Sequence, residues 1–148
     1  MLKADLCGVV NRYHGNVMRG YFVGDAPKSM VDQHRRAAGA FDVMKGVKAG
    51  MTVRQVNALL RQYLESVGLW AEPGWALGYE LGISLPPDWV GEFYFHARDE
   101  KYLDRVFEEN MVTNFESLFG TWFVDTCVYT KTGTRFMSKM PMEIVSVA

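Results

Sequence analysis

Long apolar runs, paired cysteines, repeats and surplus charge are all missing from this chain, and each absence narrows its class. No stretch approaches the roughly eighteen consecutive apolar residues that a membrane span requires, although 49% of the residues are hydrophobic. Sixteen basic against seventeen acidic residues leave a net charge of −1, so no global field favours nucleic acid or an anionic membrane as partner. Cys7 and Cys127 are the only cysteines and lie outside any Cys-x-x-Cys motif. That fits free thiols in a reducing cytoplasm better than a disulfide framework. Residues 1–5 run straight into a strand-like segment, without the charged and then apolar regions of a leader peptide. No internal repeat, low-complexity tract or linker interrupts the 148 residues, which amount to one domain, whole or partial.

What is present alternates between strand and helix patterns. Asp5 to Val10 and Val17 to Val23 are β-branched and aromatic runs separated by the turn formers of residues 11–16, which predicts an antiparallel pair. A first helix follows Pro27, with Ser29 and Asp32 spaced as a capping box, an apolar stripe from Met30 to Met44, and a stop at Gly46. The second helix has the clearest signature. Thr52 and Gln55 form a capping box, Val56, Leu59, Leu60, Tyr63, Leu64 and Val67 trace one face, and Gly68 sits at the C′ position. The short link between them predicts neighbouring helices on one face of a sheet. Strands return over residues 74–83, 111–118, 121–130 and 134–137, with Lys131-Thr132-Gly133 as a hairpin turn. Residues 92–110 are ambiguous, with Tyr102, Val106 and Phe107 able to mark a short helix. The class is α+β: an antiparallel strand pair, two helices on one sheet face, then further antiparallel strands.

The stretch from Gly78 to Trp89 is the densest in special residues. Gly78 and Gly82 let a backbone pass close to a neighbour, and Pro86-Pro87 forces an extended segment that carries Asp88 and Trp89 to a fixed place. A site loop and a purely structural crossover with a packed Trp both account for it.

The order of these motifs resembles the pita-bread fold of the Xaa-Pro peptidase and creatinase superfamily, in the latter part of its catalytic domain. The quoted stretches are Met18 to Gly24, Val47 to Thr52, Asn110 to Glu116, and Val124-Asp125-Thr126 leading to Thr130-Lys131-Thr132-Gly133. In metallopeptidases of that superfamily two divalent cations are held by an Asp on each strand of the first pair, a His in a Gly-His-x-x-Gly strand and two late glutamates, as hard cations require. Carried over position by position, Asp5 and Glu116 are retained. Asn16, Tyr79 and Val124 replace the other three. The resemblance therefore implies no tightly bound metal and no other cofactor, since each lost carboxylate removes charge that must offset the cations' desolvation.

Arg12-Tyr13-His14, Gly78-Tyr79-x-x-Gly82 and Pro86-Pro87-Asp88-Trp89 look like the ectoine hydrolase branch, whose substrates are small zwitterionic or amidine-like molecules. That resemblance implies His14 and Glu116 as catalytic residues, with Arg12, Tyr13, Tyr79, Asp88 and Trp89 around the substrate. His34 and His96 read as surface or packing residues, and Asp125 as structural.

The family's catalytic domain is a pseudo-symmetric pair of such units with about twice the helical content, so the chain is expected to be a partial domain over residues 1–148, cytoplasmic and inactive or weakly active alone. It should expose a sheet edge and an apolar face, covered by self-association as a dimer or by pairing with the missing half. Three functions stay open: the C-terminal portion of a metal-independent hydrolase acting on a small non-peptide C–N bond, a noncatalytic binding module of the same fold, and an Xaa-Pro dipeptidase whose ligands align differently.

Overall fold

The computed structural model describes residues 1–83 and 91–148. Asp88 and Trp89, named above as substrate-binding, lie outside the described residues. Strands β1 (Leu2–Val10) and β2 (Tyr13–Val23) form the first hairpin. Helices α1 (Lys28–Lys45) and α2 (Val53–Ser66) follow, then β3 (Trp75–Tyr79), β4 (Tyr94–His96), β5 (Val112–Leu118), β6 (Trp122–Tyr129), β7 (Thr134–Phe136) and β8 (Val145–Val147). The main sheet runs β1-β2-β6-β5-β3-β4, with β7 paired to β6 and β8 parallel to β2.

Three local expectations are corrected. The first turn is two residues, not six: Asn11 and Arg12 take φ of 51° and 72°, the doubly left-handed geometry whose twist matches a hairpin. Tyr13 to Asn16 consequently extend β2, which places Asp5 opposite Met18 and Cys7 opposite Asn16. The Ser29 and Asp32 capping box does not form, because Pro27 is the N-cap of α1 and no side chain caps it. Residues 92–110 contain strand β4 and turns, not a helix, and Tyr102 at φ 58° breaks any helical path there. The box of Thr52 with Gln55 on α2 is made in both directions, and Gly68 takes φ 76° after it.

Both helices cover the same sheet face. Ala37, Ala40, Phe41 and Met44 of α1, with Val53, Val56, Leu60 and Leu64 of α2, meet Phe95, Phe115, Phe123 and Cys127 from the strands. Phe41 lies edge-on to Phe115 with ring centroids 4.9 Å apart, and Phe107 lies edge-on to Tyr129 at 4.7 Å, geometries that let the quadrupoles of the rings attract. Tyr129 is fully buried, and its hydroxyl is matched to Thr113 Oγ1 at 2.8 Å.

Gly78 is required by this packing. A β-carbon there would overlap the Asn114 carbonyl oxygen and the Phe95 ring. Gly78→Ala is expected to lose about 1–3 kcal/mol of stability, as overpacked cores do. Chemical denaturation would check this, and an unchanged midpoint would show that the strand has room to spare.

Candidate functional site

Opposite the helices the sheet presents a face on which strand alternation sorts the side chains. One row crosses five strands in register: Asp5 on β1 opposite Met18 on β2, Met18 opposite Val124 on β6, Val124 opposite Glu116 on β5, and Glu116 opposite Leu77 on β3. His96 on β4 closes it, opposite Leu77. Two carboxylates therefore share a row with Met18 and Val124 between them. Met18 and Val124 join Leu118 and Trp122 in a second, small apolar cluster that forms a dry floor.

Glu116 is held from several sides. Asn114 Nδ2 donates to Glu116 Oε1 at 2.8 Å, and Trp75 Nε1 makes a long contact of 3.5 Å to Oε2. The Tyr79 phenol lies near enough to the same carboxylate to interact with it. Burial raises the Glu116 pKa, and the nearby Asp5 charge adds to the rise, while the Trp75, Tyr79 and Asn114 contacts oppose it. Tyr79 is pushed up too, first by burial and then by the Glu116 charge, so its hydroxyl stays protonated. Burial alone raises Asp5. Tyr94, opposite Tyr79, is raised by burial and by the Asp99 and Glu116 charges.

Asn114 and Trp75 were not singled out from sequence. Asn114 is fully buried and committed at both ends, since its Oδ1 accepts the Tyr79 backbone N–H at 2.9 Å. That bond fixes the amide so that only Nδ2 can face Glu116. The signal for both lay in alternation, because Asn114 and Glu116, like Trp75 and Tyr79, share a face of their strand.

The other expected residues divide. His14 is buried at 6% exposure, and its Nδ1 donates to the Gly82 carbonyl at 2.7 Å. Tyr13 bridges to Ile83 beside it, so the first hairpin and the Gly82 segment do meet. Gly82 at φ 142° takes a backbone that other residues resist. Arg12 and Tyr13 are exposed in and after the turn. His34 is a core residue under β2, and Asp125 is structural, paired to Arg19 on the helix side.

The five positions implied as metal ligands in the resemblance carry Asp5, Asn16, Tyr79, Glu116 and Val124. This donor set does not fit a pair of divalent cations. Val124 supplies no donor, Asn16 is neutral, and Tyr79 keeps its proton, which leaves two carboxylates separated by Met18 and Val124. Among the described residues no three His, Cys, Asp or Glu are grouped to hold an ion.

Comparison with known proteins places this geometry. The model of metallopeptidase family M24 matches residues 1–139. Ectoine hydrolase of Halomonas elongata is 25% identical over 153 residues, covering 95% of this chain and 36% of that protein. The X-Pro aminopeptidase from Thermotoga maritima superposes with a TM-score of 0.78 at 18% identity, over 98% of this chain and 40% of its own. The dipeptidase from Pyrococcus horikoshii gives 0.79 at 18%, with the same coverage of 98% and 40%. The chain thus spans well under half the length of these proteins.

Proposed function

The chain belongs to metallopeptidase family M24, and from that premise we propose that it forms the site of a hydrolase acting without metal on a small, non-peptide C–N bond. The observation that supports this reading most is the row Asp5-Met18-Val124-Glu116, in which neutral side chains stand between the two carboxylates. Similarity to ectoine hydrolase, a protein named for a small non-peptide substrate, supports it further.

On this reading Glu116 receives the cationic, amidine-like end of the substrate or activates water. Its carboxylate is oriented by Asn114 and lies in an aromatic setting of Trp75 and Tyr79 that suits a cation. Protonated Tyr79 donates toward a developing negative charge. His14, oriented by the Gly82 carbonyl, serves as donor or base at the hairpin end. Arg12 and Tyr13, and with them Asp88 and Trp89, are the further substrate-binding residues that the resemblance implies. The open edge of β1, with Leu2, Leu6 and Val10 exposed, is where a second copy or the remaining part of a longer catalytic domain would add. A monomer at micromolar concentration by light scattering would count against the dimer.

In the longest available form of the protein, turnover of ectoine-like and guanidino compounds is expected to be indifferent to chelators and to fall about a hundredfold or more in Glu116→Gln. Activity lost to a chelator and restored by manganese, zinc or cobalt would overturn metal independence. Activity unchanged in Glu116→Gln would remove Glu116 from the mechanism. Binding without turnover would favour the second reading, a noncatalytic binding module.

A further inference from the structure

On the site face, the positions flanking the central row carry a cation that nothing above has used. Lys3 sits opposite Gly20 on the hairpin. The four-carbon stem of Lys3 places Nζ 3.7 Å from the centroid of the Trp122 ring on β6. Trp122 belongs to the apolar floor and lies opposite Leu118, which is opposite Trp75 in turn. Lys3 makes no ion pair among the described residues, although Asp5 lies two residues along the same strand face. The ammonium is thus held by the indole face, with its three N–H donors left for another partner.

Glu116 stands diagonal to Trp122 across the β5 and β6 pair, a separation of roughly 7–8 Å between diagonal neighbours in a sheet. A carboxylate beside Trp122 and an ammonium on its ring, over one apolar floor, complement a ligand that carries charges of both signs.

We propose that Lys3 is a specificity-determining residue, which recognises a carboxylate on the substrate while Glu116 takes the cationic end. The inference rests on the reading of Glu116 as the cation's partner and adds the anionic half. Lys3 thereby selects zwitterions over simple cations. The indole of Trp122 holds the ammonium in place, so that less side-chain entropy is lost on binding.

The test is equilibrium binding, followed by tryptophan fluorescence, of guanidinoacetate against methylguanidinium. The unmodified chain is expected to prefer guanidinoacetate roughly tenfold, the gain of one charge-assisted hydrogen bond. Lys3→Met should abolish that preference while binding methylguanidinium at least as tightly. Lys3→Arg should keep most of it. Glu116→Gln should weaken both probes. A preference that survives Lys3→Met, or that is absent from the unmodified chain while methylguanidinium binding still depends on Glu116, overturns the role of Lys3 and leaves the Glu116 reading standing. Failure of both probes to bind sinks both.

Discussion

Arg19→Ala is expected to lose about 3–5 kcal/mol of unfolding free energy, the range for breaking one side of a buried ion pair. Arg19 and Asp125 are each about 1% exposed and meet at 2.8 Å. The guanidinium also donates to the carbonyls of Met18 and Val124, both at 2.8 Å, and to those of Met140 at 3.2 Å and Pro141 at 3.0 Å. Removing it strands a carboxylate and several carbonyls where water cannot reach them. The position matters for the site as well, because β2 and β6 pair over only Val17 with Asp125 and Met18 with Val124. Arg19 clamps that short ladder from the helix side, directly behind the apolar floor. Arg19→Met combined with Asp125→Leu should recover much of the loss, since no charge is then left unpaired. Denaturant titration measures both variants, and a single-variant loss under about 1 kcal/mol would show that water reaches the pair.

Acidification should reveal the second large effect, at His34. This side chain is 1% exposed, packs edge-on to Phe123 with ring centroids 5.0 Å apart, and finds no hydrogen-bond partner of good geometry for either ring nitrogen among the described residues. Burial lowers its pKa to about 4, with the Met30 backbone opposing only in part. The unfolded chain takes up the proton near 6.5 and the folded chain does not until about 4. Stability from the neutral ring is therefore complete above the unfolded value and falls as pH drops through that window. The loss flattens below about 4, at a total of at most about 3 kcal/mol. Glu116 and Asp5 act with the opposite sign, because their raised pKa values let the folded state bind protons first. The measurement that isolates His34 is thus the difference between the pH profiles of the unmodified chain and His34→Leu. Parallel profiles between pH 7 and 4 would mean that the ring is protonated in the folded state.

Much of the architecture could be read along the chain. The stripe and capping box of α2, the Gly46 and Gly68 stops, and the hairpin at Lys131-Thr132-Gly133 all depend on contacts within a few residues, where local preference decides. The family resemblance was likewise legible, because it rests on the order of motifs along residues 1–139. The failures had local causes too. A six-residue turn was inferred from composition where Asn11 and Arg12 suffice, and apolar spacing suggested a helix near Tyr102, whose left-handed backbone serves a loop.

The sequence by itself determined which helices cover the sheet, since short-range periodicity carries that. Only the tertiary structure decided that Met18 and Val124 lie between Asp5 and Glu116, that Asn114 is fixed at both ends, that Arg19 clamps β2 to β6, and that Lys3 reaches Trp122. Each depends on the register between strands distant in the chain. Cross-strand register is set by the summed fit of one whole buried face against another, a quantity that no short window of residues contains.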